Sequence, residues 1–396
     1  MKLSFTLFAG FLLFFFTACQ NSENTEMADL IQKDFAFADA QYKFLMKDLP
    51  DDKIPHSYDA EKDEKINREI SWWTSGFYPG SLWLIYEETK DPEIKKEAER
   101  TLKIIEPNRN YTGNHDVGFM IFCSFGNAYR ITGDTAYYQP ILDAAKALST
   151  RYRPNMKAIQ SWNKNQYWDQ PVIIDNMMNL ELLEWVSQET GDKKYDSIAV
   201  NHANTTLKNH YRDDYSSYHV VDYDPETGAV TKKKTWQGYS DSSAWSRGQA
   251  WGLYGYTMMY RFTKDEKYLD FAQKIAGFIL NHPRLPGDKI PYWDYDDPDI
   301  PNVPRDVSAA SITASALLEL GQYVDGDKKQ EYVDTAETIL KNLSTPEYLA
   351  KEGENGGFLL KHSTGALSLN SEIDVPLNYA DYYFLEALKR YKDWYL

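Results

Sequence analysis

The chain has 396 residues, 42% hydrophobic and 26% charged, which is enough apolar sequence for one large core. Its 43 basic and 59 acidic residues leave a net charge of −16, which argues against the basic face that nucleic-acid binding needs. Aromatic residues make up 15%, with 11 Trp and 30 Tyr, a composition suited to a core and also to flat sugar faces.

The first nineteen residues, MKLSFTLFAGFLLFFFTAC, combine one Lys, an apolar run too short to span a bilayer and a small-residue finish. That is the pattern of an export signal. The ending FTAC has the form of a bacterial lipoprotein signal, so residues 1–18 are expected to be removed and Cys19 lipidated. Residues 19–34 then read as a polar tether. On this reading the protein is an exported lipoprotein, periplasmic or anchored to the outer membrane, and it touches membrane only through its lipid. Cys123, in FMIFCSF, is then the one other thiol, so no disulfide forms within the mature chain, and its apolar neighbours predict a buried, inert group.

From residue 35 to 396 the sequence reads as one domain. A phrase recurs in it: an apolar helix, a tight turn with Asp, then an amphipathic helix. The turns hold Asp91, Asp134, Asp192, Asp265 and Asp327, each a candidate helix N-cap. The helices after the turns, such as KYLDFAQKIAGFIL, have one apolar stripe and predict an outer layer. The helices before them, such as AWGLYGYTMMYRF, are apolar nearly all round and predict an inner layer. Five such hairpins and a final YADYYFLEALKRY give six inner helices, and the expected fold is an all-α closed α/α barrel. Spacing between turn aspartates varies from 43 residues (91 to 134) to 73 (192 to 265), too irregular for an open solenoid. The extra length falls before the inner helices, where binding loops belong.

Asp175, in VIIDNMMNLELLEWV, is open to two readings: a helix cap, or a catalytic acid at the mouth of an apolar cavity. Counting back from the turns favours a site. Eighteen residues before Asp91, Asp134, Asp265 and Asp327 stand Trp73, Asp116, Arg247 and Ala309 (beside Ser308), and seventeen before Asp192 stands Asp175. An inner helix of about 17 residues rises roughly 25 Å, so these positions share one mouth of the barrel. Trp and Arg are poor caps. Four segments there are rich in chemistry: SWWTSGFYPGSLW, NRNYTGNHDVGF, IIDNMMNLELL and TWQGYSDSSAWSRGQAWGLYGY. Arg247 can grip a carboxylate with both arms of its guanidinium, Trp offers a platform for a sugar ring, and two aspartates can divide acid and base roles. Gln249 and Trp251 stand four residues beyond Trp245 and Arg247, on the same helix faces.

The motifs HDVGF, IIDNMMN and WSRGQAWGLYG, with SYHVVDYDPETG and PYWDYDDPDIPNVPRDVSAAS, resemble glycoside hydrolase family 88, the unsaturated glucuronyl hydrolases, from about Phe35 to the C-terminus. The resemblance implies an (α/α)6 barrel and a substrate made by polysaccharide lyases: an oligosaccharide whose non-reducing end is a uronate with a C4=C5 double bond. It implies that Asp175 is the general acid/base and Asp116 its partner. It also implies that Trp73, His219, Gln237, Trp245, Arg247 and Trp251 line the uronate pocket, with Trp162 a further aromatic contact. His115 and Gln249 join the substrate-contact set, and His362 and Ser363 are placed beside the sugar beyond the uronate. Proton delivery to C4 and addition of water at C5 need neither metal nor organic cofactor. The acidic YWDYDDPDIPN lacks the Gly and terminal Glu of an EF-hand loop. The apolar helix behind Asp175 predicts that it keeps the proton, while Asp116, in polar surroundings, carries the charge.

Three other readings compete: an unsaturated rhamnogalacturonyl hydrolase of sibling family 105, an inverting α/α-barrel glycosidase, and a non-catalytic sugar-binding lipoprotein.

Overall fold

The computed structural model describes the backbone from residue 6 and side chains from residue 25, so the start of the signal sequence and the Cys19 side chain lie outside what is described. Helices pair along the chain. After α1 (Thr6–Leu45), the inner α2 (Phe77–Thr89) turns back into the outer α3 (Pro92–Ile105). A π-helix, Gly118–Gly126, runs on into α4 (Asn127–Thr132) as one inner rod, backed by α5 (Tyr138–Ser149). Then come α6 (Asn176–Thr190) with α7 (Lys193–Asn209), α8 (Ser246–Thr263) with α9 (Glu266–Leu280), and α10 (Val307–Leu320) with α11 (Gly326–Leu343). The last inner helix, α12 (Asn378–Tyr395), packs between α10 and α2 and closes the ring, and α1 packs on α2 and α12 from outside.

The layers follow from side-chain pattern. Every residue of α10 is buried, as an inner helix demands. The outer α9 buries only Tyr268, Leu269, Phe271, Ala272, Ile275, Ala276 and Ile279, one stripe at helical spacing. Asp91, Asp134, Asp192 and Asp265 cap as expected, each accepting a backbone N–H two residues on. Asp327 does not. The α11 helix begins two residues earlier, after Asp325, and Asp327 sits in its first turn, where a negative charge suits the helix dipole.

The tether reading fails from Met27 onward. Met27, Ile31, Phe35, Ala38, Tyr42 and Leu45 recur every three or four residues and are all at most 3% exposed, so this stretch of α1 is a packed barrel helix. Among the described residues no helix is long and apolar enough to cross a membrane. Cys123 faces Tyr382 and Tyr383, and burial pushes its thiol well above the usual range.

The long segments before the inner helices are not bare loops. They hold an antiparallel hairpin, β1 (Lys53–Asp59) with β2 (Glu64–Glu69), and a short pair, β3 (Tyr152–Arg153) with β4 (Ala158–Ile159). A three-stranded antiparallel sheet joins β5 (Gln170–Ile173), β6 (Val220–Tyr223) and β7 (Val230–Lys234). β5 runs straight into Asp175 at the head of α6, and this sheet forms one wall of the mouth.

Candidate active site

Asp175 stands at the N-cap position of α6, yet its carboxylate accepts no N–H of the first turn. The turn aspartates show what a cap looks like in this chain, and Asp175 is not one. It is 7% exposed, and its Oδ2 has no hydrogen-bond partner. Asp116 lies just before the π-helix, whose Gly118 allows contact with α6: a Cβ there would meet the Asn179 Cα at 2.7 Å. The Asn179 side chain accepts the Phe119 N–H at 2.9 Å and locks that contact. Two neighbouring inner helices thereby hold a buried and a half-buried carboxyl group close enough to repel.

Burial raises both groups, to about 8 for Asp116 and about 6 for Asp175. For Asp116 the second cause is the charge of Asp175, and only Arg151 opposes it. Asp175 is drawn down by the Arg247 guanidinium and the Trp251 indole N–H. Arg247 and Trp251 thus favour the charge of the pair on Asp175, whereas the apolar run behind Asp175, taken alone, favours the proton there. The Arg247 cation, brought from α8, offsets part of the burial that raises Asp175.

His219 faces Asp175 with Nε2 3.6 Å from Oδ2. Its Nδ1 accepts the backbone N–H groups of Trp236 and Gln237, each at 3.1 Å, which puts the ring proton on Nε2. Burial lowers its pKa to about 3, so it is a neutral donor aimed at the carboxyl group. His115 pairs with Asp116, Nε2 to Oδ1 at 3.3 Å, and is likewise kept neutral by burial. At 1% exposure His115 packs behind Asp116.

Arg247 is where expectation and structure part. Its Nη1 donates to Asp306 at 2.8 Å and to the Thr364 carbonyl at 2.7 Å, and its Nη2 donates to the Gly365 carbonyl. Only Nε lacks a partner. Three of its five N–H donors are thus held within the protein, which leaves the Nε edge and a positive charge beside Asp175. Gln249 is also turned inward: it accepts from the Ser217 N–H, donates to Ser217 Oγ and the Trp245 carbonyl, and is fully buried. It ties the β6 approach to α8 and has no donor left for a sugar.

Rings encircle the carboxyl pair. His219 lies 4.6 Å from Trp245, whose face is 4.5 Å from the Arg247 guanidinium. Arg247 also covers Tyr379 at 5.4 Å, Tyr379 is 4.9 Å from Trp73, and Trp73 is 5.7 Å from Phe119. Phe119 closes the path to Trp251 at 5.3 Å. Gln237 donates to the Gly365 carbonyl at 3.1 Å, which straps the 362–375 loop onto the mouth. In that loop Ser363 is buried with its Oγ unpartnered, while His362 is half-exposed and bonded to Asp374 at 2.6 Å. Trp162 stands apart from the ring, 6.5 Å from Trp168. Asp306 and Tyr379 were missed in the sequence. Both sit in segments noticed there, PYWDYDDPDIPNVPRDVSAAS and YADYYFLEALKRY, but nothing local says that the first anchors Arg247 or that the second joins the wall. The aspartates of YWDYDDPDIPN bond inward: Asp294 accepts from the Tyr239 N–H and Ser243 Oγ, and Asp297 from the Trp293 indole.

The family model described as Glycosyl Hydrolase Family 88 matches residues 46–394. The chain belongs to this family. It is 49% identical over 320 residues to an unsaturated glucuronyl hydrolase of Formosa agariphila, covering 80% of this chain and 79% of that one. Among solved structures it resembles an unsaturated glucuronyl hydrolase specific for heparin, with TM-score 0.89 and 48% identity over 92% of this chain and 97% of the other. It also resembles a variant of the Streptococcus agalactiae unsaturated glucuronyl hydrolase complexed with dGlcA-GalNAc6S, with TM-score 0.79 and 32% identity over 92% of each chain. Family 88 membership makes this chain a glycoside hydrolase with the (α/α)6 barrel that the helix order shows.

The assignment of the proton has a consequence for stability. Asp116 keeps in the folded state a proton that the unfolded chain releases near its ordinary value of 3.8, so its contribution declines as pH rises from about 4 to about 8. Asp116→Asn cannot ionise. Its Tm should match wild type at pH 4 and exceed it by several degrees at pH 8, measured by calorimetry across that range. An Asn variant with no such widening gap would show that Asp116 is ionised in the native state.

Proposed function

We infer that this protein releases the 4,5-unsaturated uronate from the non-reducing end of oligosaccharides made by polysaccharide lyases, by hydrating the C4=C5 bond. The observation that carries this reading is a buried, uncapped Asp175 with a free oxygen beside a second carboxyl group that holds a proton.

In its protonated form Asp175 delivers its proton to C4, and positive charge develops at C5, shared with the ring oxygen. The carboxylate left behind takes a proton from water as that water adds to C5, so the acid is restored. The C5 hemiketal opens to a ketone, and the C1 hemiacetal then expels the aglycone. His219 and Trp251 direct N–H groups at Asp175, so its carboxylate form is stabilised as it appears. Asp116, neutral at working pH, presents a hydroxyl donor to the substrate without adding a second negative charge.

Disappearance of the ultraviolet absorbance of the C=C–carboxylate on mixing with lyase products tests the reaction. Release of reducing ends with that absorbance retained would instead mark a hydrolase of saturated glycosides, and no change at all a binding protein. The acid form of Asp175 is required, so kcat/KM should fall as pH rises through about 6. A profile flat from pH 5 to 8 would remove Asp175 from the proton-transfer step.

The leader supports export with lipidation at Cys19, which would hold the enzyme where extracellular lyases deliver their products. Loss of fatty-acid labelling in Cys19→Ser tests the anchor.

A further inference from the structure

We propose that an aromatic shelf on the rim, built from Tyr167, Trp168 and Trp236, binds the third and later sugars of the substrate. The proposal rests on the reaction inferred above, because it concerns the part of the oligosaccharide that leaves the pocket.

Large apolar side chains are normally withdrawn from water, and contiguous exposed ones mark binding surfaces. Tyr167 is 55% and Trp236 37% exposed. Their rings lie 5.7 Å apart, and both belong to a continuous cluster: Trp236 to Trp168 at 6.1 Å, and Trp168 to Trp162 at 6.5 Å. Trp168 is the buried hub, packed on Ile173 and Val220 of the sheet. The shelf is held rigidly. Asn165 Oδ1 accepts the N–H groups of Tyr167 and Trp168, and the Asp222 carboxylate accepts those of Asp169 and Gln170. Trp236 is pinned at both ends, its N–H on His219 and its carbonyl receiving Ser368 Oγ at 2.9 Å.

Position says what lies on it. The Trp236 N–H that orients His219 belongs to the same residue whose ring forms the shelf, so the shelf starts at the edge of the catalytic pocket. A uronate seated at Asp175 must send its remaining sugars outward across the rim, and rigid ring faces are the surface a pyranose stacks on. Lys232 sits 5.0 Å over Trp168 and donates to the Tyr167 carbonyl, so it braces the shelf from behind. The neighbouring Lys234 is paired with Asp241 and Lys233 lies over Tyr218, so the shelf selects by ring stacking and not by charge.

The test compares an unsaturated disaccharide with the tetrasaccharide of the same lyase digest. Tyr167→Ala should lower kcat/KM for the tetrasaccharide by about three- to tenfold, the scale of one lost aromatic contact, and leave the disaccharide within twofold. Trp236→Ala should lower the tetrasaccharide-to-disaccharide ratio by a similar factor. Equal falls on both substrates, or no fall on either, would overturn the shelf. Calorimetric Kd values for the tetrasaccharide, measured with Asp175→Asn as background, separate this failure from failure of the reaction itself. Tyr167→Ala in that background should weaken binding by the same factor, whether or not the wild type turns over, and an unchanged Kd would also overturn the proposal.

Discussion

Asp175→Asn should lower kcat by about 10²–10⁴-fold, the usual contribution of a general acid–base group. The fold should survive, because the carboxylate caps no helix and its Oδ2 bonds to nothing whose loss would open the barrel. Removing an ionisable group that is raised to about 6 should leave stability at pH 7 unchanged or slightly higher, since the wild-type protein bears the cost of burying that charge. Substrate Kd should therefore change little while turnover disappears. The measurements are kcat by absorbance, Kd by calorimetry and Tm by scanning calorimetry. A variant keeping more than a tenth of wild-type kcat would move the acid role elsewhere, and Asp116 would be the first group to examine.

Arg247→Ala should be the most damaging single change to the mouth. Arg247 and Asp306 are both at most 1% exposed, so truncation leaves a buried carboxylate without its cation, a defect that costs about 3–5 kcal/mol. The carbonyls of Thr364 and Gly365 lose their donors as well, which frees the 362–375 loop from α8. A lower Tm and protease sensitivity in that loop are the expected readouts. Activity should respond in a way that a merely structural role would not produce. With the cation gone, Asp175 holds its proton to higher pH, and the alkaline limb of kcat/KM should move upward. Asp306→Asn, which keeps Arg247 and its charge, should cost stability without that upward shift. If Arg247→Ala raised KM for substrate with Tm and pH profile unchanged, the guanidinium would be a direct carboxylate grip after all, and the hydrogen bonds to Asp306 and the loop would be dispensable.

The comparison of Asp175 with Asp91 shows how far local sequence reaches. Both stand at helix starts, and both are adequate caps by residue type. Asp91 caps because its extended backbone (φ −69°, ψ 122°) turns its carboxylate onto the first-turn N–H groups. Asp175 keeps helical angles (φ −53°, ψ −30°), which leave its carboxylate without such a bond. The register of Trp73, Asp116, Asp175 and Arg247 nevertheless placed them at one mouth, because a helical hairpin is a nearly fixed length of chain and each turn marks the far end. Helix identity, layer and pole are properties of neighbours within a few residues, and periodicity records them.

By itself, then, the sequence determined the six inner helices, the shared mouth and, through three motifs, the family chemistry. Tertiary structure alone decided who meets whom across that mouth. That Arg247 is bound to Asp306, fifty-nine residues away, and that its charge lies beside Asp175, depend on contacts between different hairpins. The closure of the ring is of the same kind: α1, read from composition as a tether before residue 35, supplies the outer helix beside α12 from the opposite end of the chain. Such pairings leave no periodic trace, because electrostatics and packing act through space on residues far apart in sequence, and a carboxyl group's pKa is set by the sum of those surroundings.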